Sequence, residues 1–152
     1  MIFIKNSQKK IKIDINKIEQ KLQKLLNFLK MKDFDVSLWF TTDTTIRKFN
    51  KKYRKKDKAT DILSFPYHVH LKPGQKIEIK TEEDNNLGDI IISLKFVKKH
   101  SELDGVDFNL YINILLVHGI AHLLGYDHET DSDFKVMQKF EKSLLSEICG
   151  KN

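Results

Sequence analysis

Three of the six histidines in this chain fall within one short run, His118-Gly-Ile-Ala-His122-Leu-Leu-Gly125-Tyr-Asp-His128. His118 and His122 are four residues apart, a spacing that puts both rings on one face of a helix. Gly125 is a helix stop, because glycine enters the left-handed backbone region without steric cost. A chain that reverses there can bring His128 back toward the first two rings. Three neutral imidazoles meeting at a point, with no fourth protein ligand in the run, describe a metal site that keeps one position open, as catalytic sites do and structural sites do not. The competing reading is three core histidines bonded to their neighbours. It suits one or two such residues better than three with a glycine where the chain must turn. Zinc is the natural ion for imidazole ligands, and nickel or copper is compatible with the same set in vitro. An ion held this way lowers the pKa of water to about 7 in favourable sites, or acts as a Lewis acid on a carbonyl or phosphoryl oxygen.

The neighbours of these histidines narrow the chemistry. In the H-E-x-x-H peptidase motif a glutamate follows the first histidine and serves as general base. Gly119 occupies that position here, so a zinc peptidase is the weakest of the readings. Asp127, beside His128, has two readings of equal weight: orienting a ligand imidazole, or bonding its own backbone in a turn. A second cluster, KKYRKKDK over residues 51–58, holds six basic residues and one acid. It reads either as a solvated helix end or as a phosphate-tracking patch in which Lys51, Lys52 and Lys55 meet a nucleic-acid backbone. Arg54 within it can grip a phosphate bidentately, which lysine cannot do.

The elements that must position these residues follow from pattern. Short β-branched runs at 2–5 and 11–13 suggest a first strand around a polar break. Asp14 or Asn16 caps a helix to about residue 31, with Ile15, Ile18, Leu22, Leu25, Leu26 and Leu29 at helical spacing. Residues 36–40 alternate as a strand with Trp39 on its other face. Thr41, Thr42 or Asp43 caps a helix to about residue 53, with Ile46, Phe49 and Tyr53 inward. Strands at 62–65 and 87–92 flank a long polar stretch, 67–86, that reads as a hairpin or a flap. Ser93 caps a helix to about residue 103. Asp107 opens a helix to residue 124 that is apolar nearly all round and therefore buried. Thr130 or Asp131 caps a last helix to about residue 149, with Phe134, Met137, Phe140, Leu144, Leu145 and Ile148 inward. The expected class is α+β: one domain over residues 1–152, with a small sheet of about four strands covered by helices and a buried metal-binding helix.

Composition sets outer bounds. The chain has 152 residues, a formal net charge of +6 and a single cysteine, Cys149. The basic lean permits a polyanionic partner without establishing one. One cysteine makes no internal disulfide, which fits a cytoplasmic protein and excludes a thiolate zinc finger. The first residues lack a signal-peptide core, and 108–124 is too short and too polar to span a bilayer, so no membrane role is expected.

Three segments resemble one family. HGIAHLLGYDH is similar to the H-G-x-L-H-L-x-G-Y-D-H signature of the YbeY endoribonucleases, bacterial rRNA maturation factors. Residues 49–66, FNKKYRKKDKATDILSFP, resemble that family's Y-R-x-x-D-x-x-T-D-V-L-S-F-P segment. LGDIIIS at 87–93 resembles its L-G-D-I-x-I-S strand. Ala121 and Ile62 stand where leucine and valine are usual, and nothing in 67–86 aligns. The resemblance implies a zinc-dependent, single-strand-specific endoribonuclease with a layered α/β/α fold, a mixed sheet carrying helices on both faces. It would mature the 3′ end of small-subunit rRNA, act in ribosome quality control, and partner rRNA and small-subunit components. It implies His118, His122 and His128 as ligands and Arg54 as the arginine tied to activity. Ser64, on a strand expected to wall the cleft, is a candidate donor to substrate, beside its plainer role as a strand residue. The alternative of another class is a non-catalytic, metal-stabilised ribosome-assembly factor.

Overall fold

A computed structural model describes residues 1–149. In chain order the elements are β1 (Ile2–Asn6), α1 (Ile15–Phe28), β2 (Asp35–Thr41), α2 (Asp43–Arg54), β3 (Ile62–Pro66), β4 (Asn86–Ser93), α3 (Leu94–Asp104), α4 (Phe108–Leu123) and α5 (Asp131–Ile148). The helices begin where short polar side chains can satisfy a free amide. Asp14, Thr42, Ser93, Asp107 and Thr130 accept from the amides of Lys17, Thr45, Phe96, Leu110 and Asp133. Each such cap contributes about 1 kcal/mol.

The four strands lie in the order β1-β2-β4-β3. β1, β2 and β4 are parallel, and β3 runs antiparallel on the edge beside β4. Strand alternation separates two apolar faces. On one, Val36, Leu38, Phe40, Ile90 and Ile92 join Leu22, Leu25 and Leu26 of α1, Leu116, Ile120 and Leu123 of α4, and Leu144 of α5. On the other, Leu63 and Ile91 meet Ile46 of α2, with Trp39, Phe49 and Phe65 around them. The fold is therefore the expected α+β arrangement, a small mixed sheet covered on both faces, with α4 lying in the larger core.

Four local expectations are corrected. Residues 11–13 form no strand. The Gln8 side chain takes the hydrogen bonds a ladder would have made, bonding the Ile11 amide at 2.9 Å and its carbonyl at 2.8 Å. α1 stops at Phe28 rather than near residue 31. Lys30 turns left-handed at φ 58°, and the Met31 amide reaches back to the Leu26 carbonyl at 2.7 Å, a Schellman closure made without glycine. Residues 67–85 are neither hairpin nor bare loop. They end in a 3-10 turn at Glu82–Asn85 and are tied across by His68 Nε2, 2.9 Å from the Asp84 carbonyl. Finally, Phe134 and Tyr53 are 51% and 55% exposed, not inward-facing.

Candidate metal centre

The α4 helix carries His118 and His122 in its last two turns, so their rings rise together from one face. Their Nε2 atoms are 3.0 Å apart. Leu124 ends the helix and Gly125 reverses the chain at φ +93°. A Cβ on residue 125 would run into the carbonyl of Leu71, so this turn needs glycine for space as well as for conformation. The reversal returns His128, whose ring centre lies 6.0 Å from that of His118 and 5.6 Å from that of His122. One nitrogen from each ring falls within 4.8 Å of the other two, and no other His, Cys, Asp or Glu among the described residues joins the group. A tetrahedral zinc with bonds of about 2.0–2.1 Å separates its ligand nitrogens by roughly 3.3 Å, so small ring rotations suffice. Tyr126 stacks flat on Phe140 at 4.1 Å, which fixes the turn against α5.

The protonation pattern also suits a cation. An ionised carboxylate only accepts. The 2.8 Å contact between His118 Nδ1 and Glu141 Oε2 therefore puts the proton of His118 on Nδ1 and turns the Nε2 lone pair into the site. Burial, helped by His118, His128 and Arg54, pushes His122 down to about 4 against a hydrogen bond to the Tyr126 backbone. His122 is thus neutral at pH 7, as a ligand must be. Two rings offering lone pairs across 3.0 Å need either a shared proton or an ion between them.

Glu141 is the partner that sequence reading missed. Asp127, offered for this role, instead accepts from the Glu129 amide at 3.3 Å, the turn arrangement. Glu141 carried one signal: it falls in the stripe of Met137, Leu144 and Ile148, where an uncompensated charge is costly.

Position 119 explains the absent peptidase base. Its Cβ direction points into the sheet, where Ile90 Cδ1 would stand 2.8 Å away. A glutamate there has no room. The close neighbour is the Ile90 side chain.

Arg54 ends α2 close enough to His122 for its charge to add a small push, after burial and the other two rings, toward the neutral form of that ring. The other arginine, Arg47, is engaged with Asp57 at 2.8 Å, whereas Arg54 has no ion pair among the described residues. Lys51 and Lys52 share the last turn of α2, and Lys55 caps it in the left-handed conformation at φ 59°. All three lysines are exposed. Lys52 Nζ rests 5.2 Å from the Tyr53 ring centre. Ser64 pairs with Ile90 on the sheet face that α4 covers.

Beside His118 the surface opens into a cleft of about 390 Å³ between α4 and the start of β3, with Asp61, Asp104, Tyr111 and Ile114 in its walls. The Tyr111 hydroxyl donates to Asp61 Oδ2 at 3.0 Å. Burial and the Asp61 charge push Tyr111 well above the ordinary phenol value, so it remains a donor at physiological pH.

A family model described as Endoribonuclease YbeY matches residues 3–149. Endoribonuclease YbeY of Homo sapiens is 31% identical over 147 residues, covering 97% of this chain and 87% of the relative. The protein of that name from Caldicellulosiruptor bescii is 35% identical over 153 residues, covering 97% and 96%. That from Persephonella marina is 37% identical over 132 residues, covering 86% and 81%. The solution structure of TM1509 from Thermotoga maritima matches with a TM-score of 0.65 at 25% identity, covering 97% of this chain and 89% of that one.

Proposed function

The chain belongs to the Endoribonuclease YbeY family, and on that premise we propose that it is a zinc-dependent endoribonuclease that cuts single-stranded RNA at the three-histidine centre. We assign it to the cytoplasm, to maturation of the 3′ end of small-subunit rRNA, and to ribosome quality control, with rRNA and small-subunit components as partners. The observation that carries the reading is the convergence of His118, His122 and His128, with no fourth His, Cys, Asp or Glu among the described residues in the group, and with Arg54, which has no ion pair among those residues, near enough to act on His122.

A bound zinc ion would polarise the scissile phosphate and activate a nucleophile at neutral pH. The remaining work falls to side chains. His118 is held in register by Glu141 and His122 is kept neutral by burial. Arg54 donates in parallel to two phosphate oxygens and offsets the charge that grows on them as the nucleophile adds. Lys51, Lys52 and Lys55 hold the flanking phosphates, which makes binding steeply salt-dependent. Ser64, on β3, is a further candidate donor to the substrate strand. The nucleophile is water or the 2′-hydroxyl of the RNA itself. The second leaves a 2′,3′-cyclic phosphate and is abolished by a 2′-deoxy nucleotide at the cleavage position.

Metal content and cleavage of an unstructured RNA, measured together on wild type, His122→Ala and Arg54→Ala, test the proposal. His122→Ala is expected to lose metal and activity together. Arg54→Ala is expected to keep its metal and cut about a hundredfold more slowly, the scale of losing one charged donor to a transition state. A normal rate for Arg54→Ala removes the guanidinium from the mechanism. Binding of small-subunit components without cleavage, whichever divalent metal is supplied, would favour the assembly-factor alternative.

A further inference from the structure

The cleft beside His118 is not needed to hold a metal, and its chemistry differs from that of the rest of the site. Tyr111, Ile114 and His118 follow one another along the same face of α4, so the cleft continues directly from the histidine cluster. Its opposite wall is the start of β3. Asp61 and Asp104 line it, whereas Arg54, whose charge acts on His122, and the lysines of α2 are not among its lining residues. A polyanion crossing this surface places its phosphates on the basic side. A cleft lined by two carboxylates and apolar Val106 and Ile114 repels phosphate and favours a partly apolar group rich in N–H donors, which on an RNA strand means a base.

Asp61 is built as a fixed acceptor. Its Oδ1 accepts from the Ile62 amide at 2.8 Å and the Thr60 hydroxyl at 3.3 Å. Its Oδ2 accepts from Tyr111 at 3.0 Å and keeps one lone pair. Resting on the nuclease reading above, we infer that this cleft is a nucleobase subsite in which Asp61 accepts from an exocyclic amino group, selecting cytosine, adenine or guanine over uracil. Cytosine N4, adenine N6 and guanine N2 all supply such a donor. Uracil offers only an imino N–H between two carbonyl oxygens, and those oxygens would face the carboxylates. Single-stranded RNA splays its bases so that such edges can be read.

Replacing Asp61 by asparagine inverts the code. The side-chain oxygen keeps the Ile62 amide, and an NH2 group takes the place of Oδ2, presenting a donor to the carbonyl edge of uracil. The Tyr111 hydroxyl can rotate to accept from it. The experiment compares kcat/KM of the zinc-loaded protein on oligo(C) and oligo(U) of equal length, for wild type, Asp61→Asn and Tyr111→Phe. Wild type should favour oligo(C) about tenfold or more, the scale of one hydrogen bond to a charged acceptor. Asp61→Asn should reverse the preference. Tyr111→Phe, which frees Oδ2 from its anchor while leaving the strand caps intact, should bring the ratio toward one and stand in if Asp61→Asn does not fold. Equal use of both oligomers by wild type overturns the subsite, and so does a ratio that neither variant moves. If wild type cuts neither oligomer nor any mixed-sequence RNA, the nuclease reading falls and the subsite with it.

Discussion

Removing the Glu141 carboxylate should weaken metal binding without disturbing the fold. Glu141 lies on α5, 23 residues from His118, and its one hydrogen-bond partner among the described residues is the ring nitrogen 2.8 Å away. The two side chains are 25% and 27% exposed, so water competes weakly for the bond. While the carboxylate holds the Nδ1 proton, Nε2 is bound to be the bare nitrogen. Without it the ring can rotate, or shift its proton to Nε2 and cover the lone pair a metal requires. Losing such an outer partner typically costs 10–100-fold in affinity, or about 1.4–2.7 kcal/mol. For Glu141→Ala the zinc dissociation constant should rise within that range. Glu141→Gln keeps a carbonyl acceptor but no charge, so it should fall between Ala and wild type. Competition for zinc against a chromophoric chelator at neutral pH measures both. Alanine is a strong helix former, so α5 should persist and circular dichroism should not change. Lys142→Ala, an exposed neighbour, is the control and should bind as wild type does. If Glu141→Ala binds zinc as tightly as Lys142→Ala, the hydrogen bond does not orient His118 for ligation and the argument fails.

Two further outcomes are expected. Gly119→Ala should destabilise the protein by about 1–3 kcal/mol in denaturant unfolding, because its methyl meets buried Ile90. Ile90→Val removes the closest atom and should recover part of that loss, whereas additive effects would show that the two positions do not touch. Asp84 accepts from the amides of Lys80 and Thr81 and is held below the usual carboxylate range by those bonds. A carboxylate depressed in the folded state adds stability that is present above the unfolded value, near 4, and fades as pH falls through the lowered folded value. Protection of the Lys80 and Thr81 amides from hydrogen exchange should therefore survive to pH 4 and disappear below it. Loss already at pH 5 would show that the carboxylate does not hold the segment.

What could be read from sequence, and what could not, follows from how far each constraint reaches along the chain. The His118/His122 pair and the stop at Gly125 are properties of one helix and its exit, so spacing alone placed them. The caps at Thr42, Ser93 and Asp107 are equally local. Lys30 closes α1 in the left-handed region, where glycine is the usual marker, and the tertiary fold imposes that end against local preference. Gln8 mimics a strand partner for Ile11 through a side chain, which no β-branched pattern reveals. The Glu141 and Asp61 contacts join residues 23 and 50 positions apart, and only the packing of α4 against α5 and β3 brings them together.

Gly119 shows why the missing base is better explained from space than from sequence. Sequence alone says that a peptidase's glutamate is absent and leaves open a base recruited from elsewhere. The packing gives a reason: the backbone of α4 approaches β4 so closely at this point that Ile90 occupies the volume a side chain would need. The same approach sets the depth of α4 in the core and hence the height at which His118 and His122 emerge beside β3. A general base at 119 and this seating of the helix exclude each other. The chain shares the four-residue histidine spacing with H-E-x-x-H enzymes, but here position 119 is packed against Ile90 of the sheet. On the nuclease proposal, the groups that would meet the substrate are Arg54, Asp61 and Tyr111, and these suit a phosphodiester strand with its bases better than a peptide.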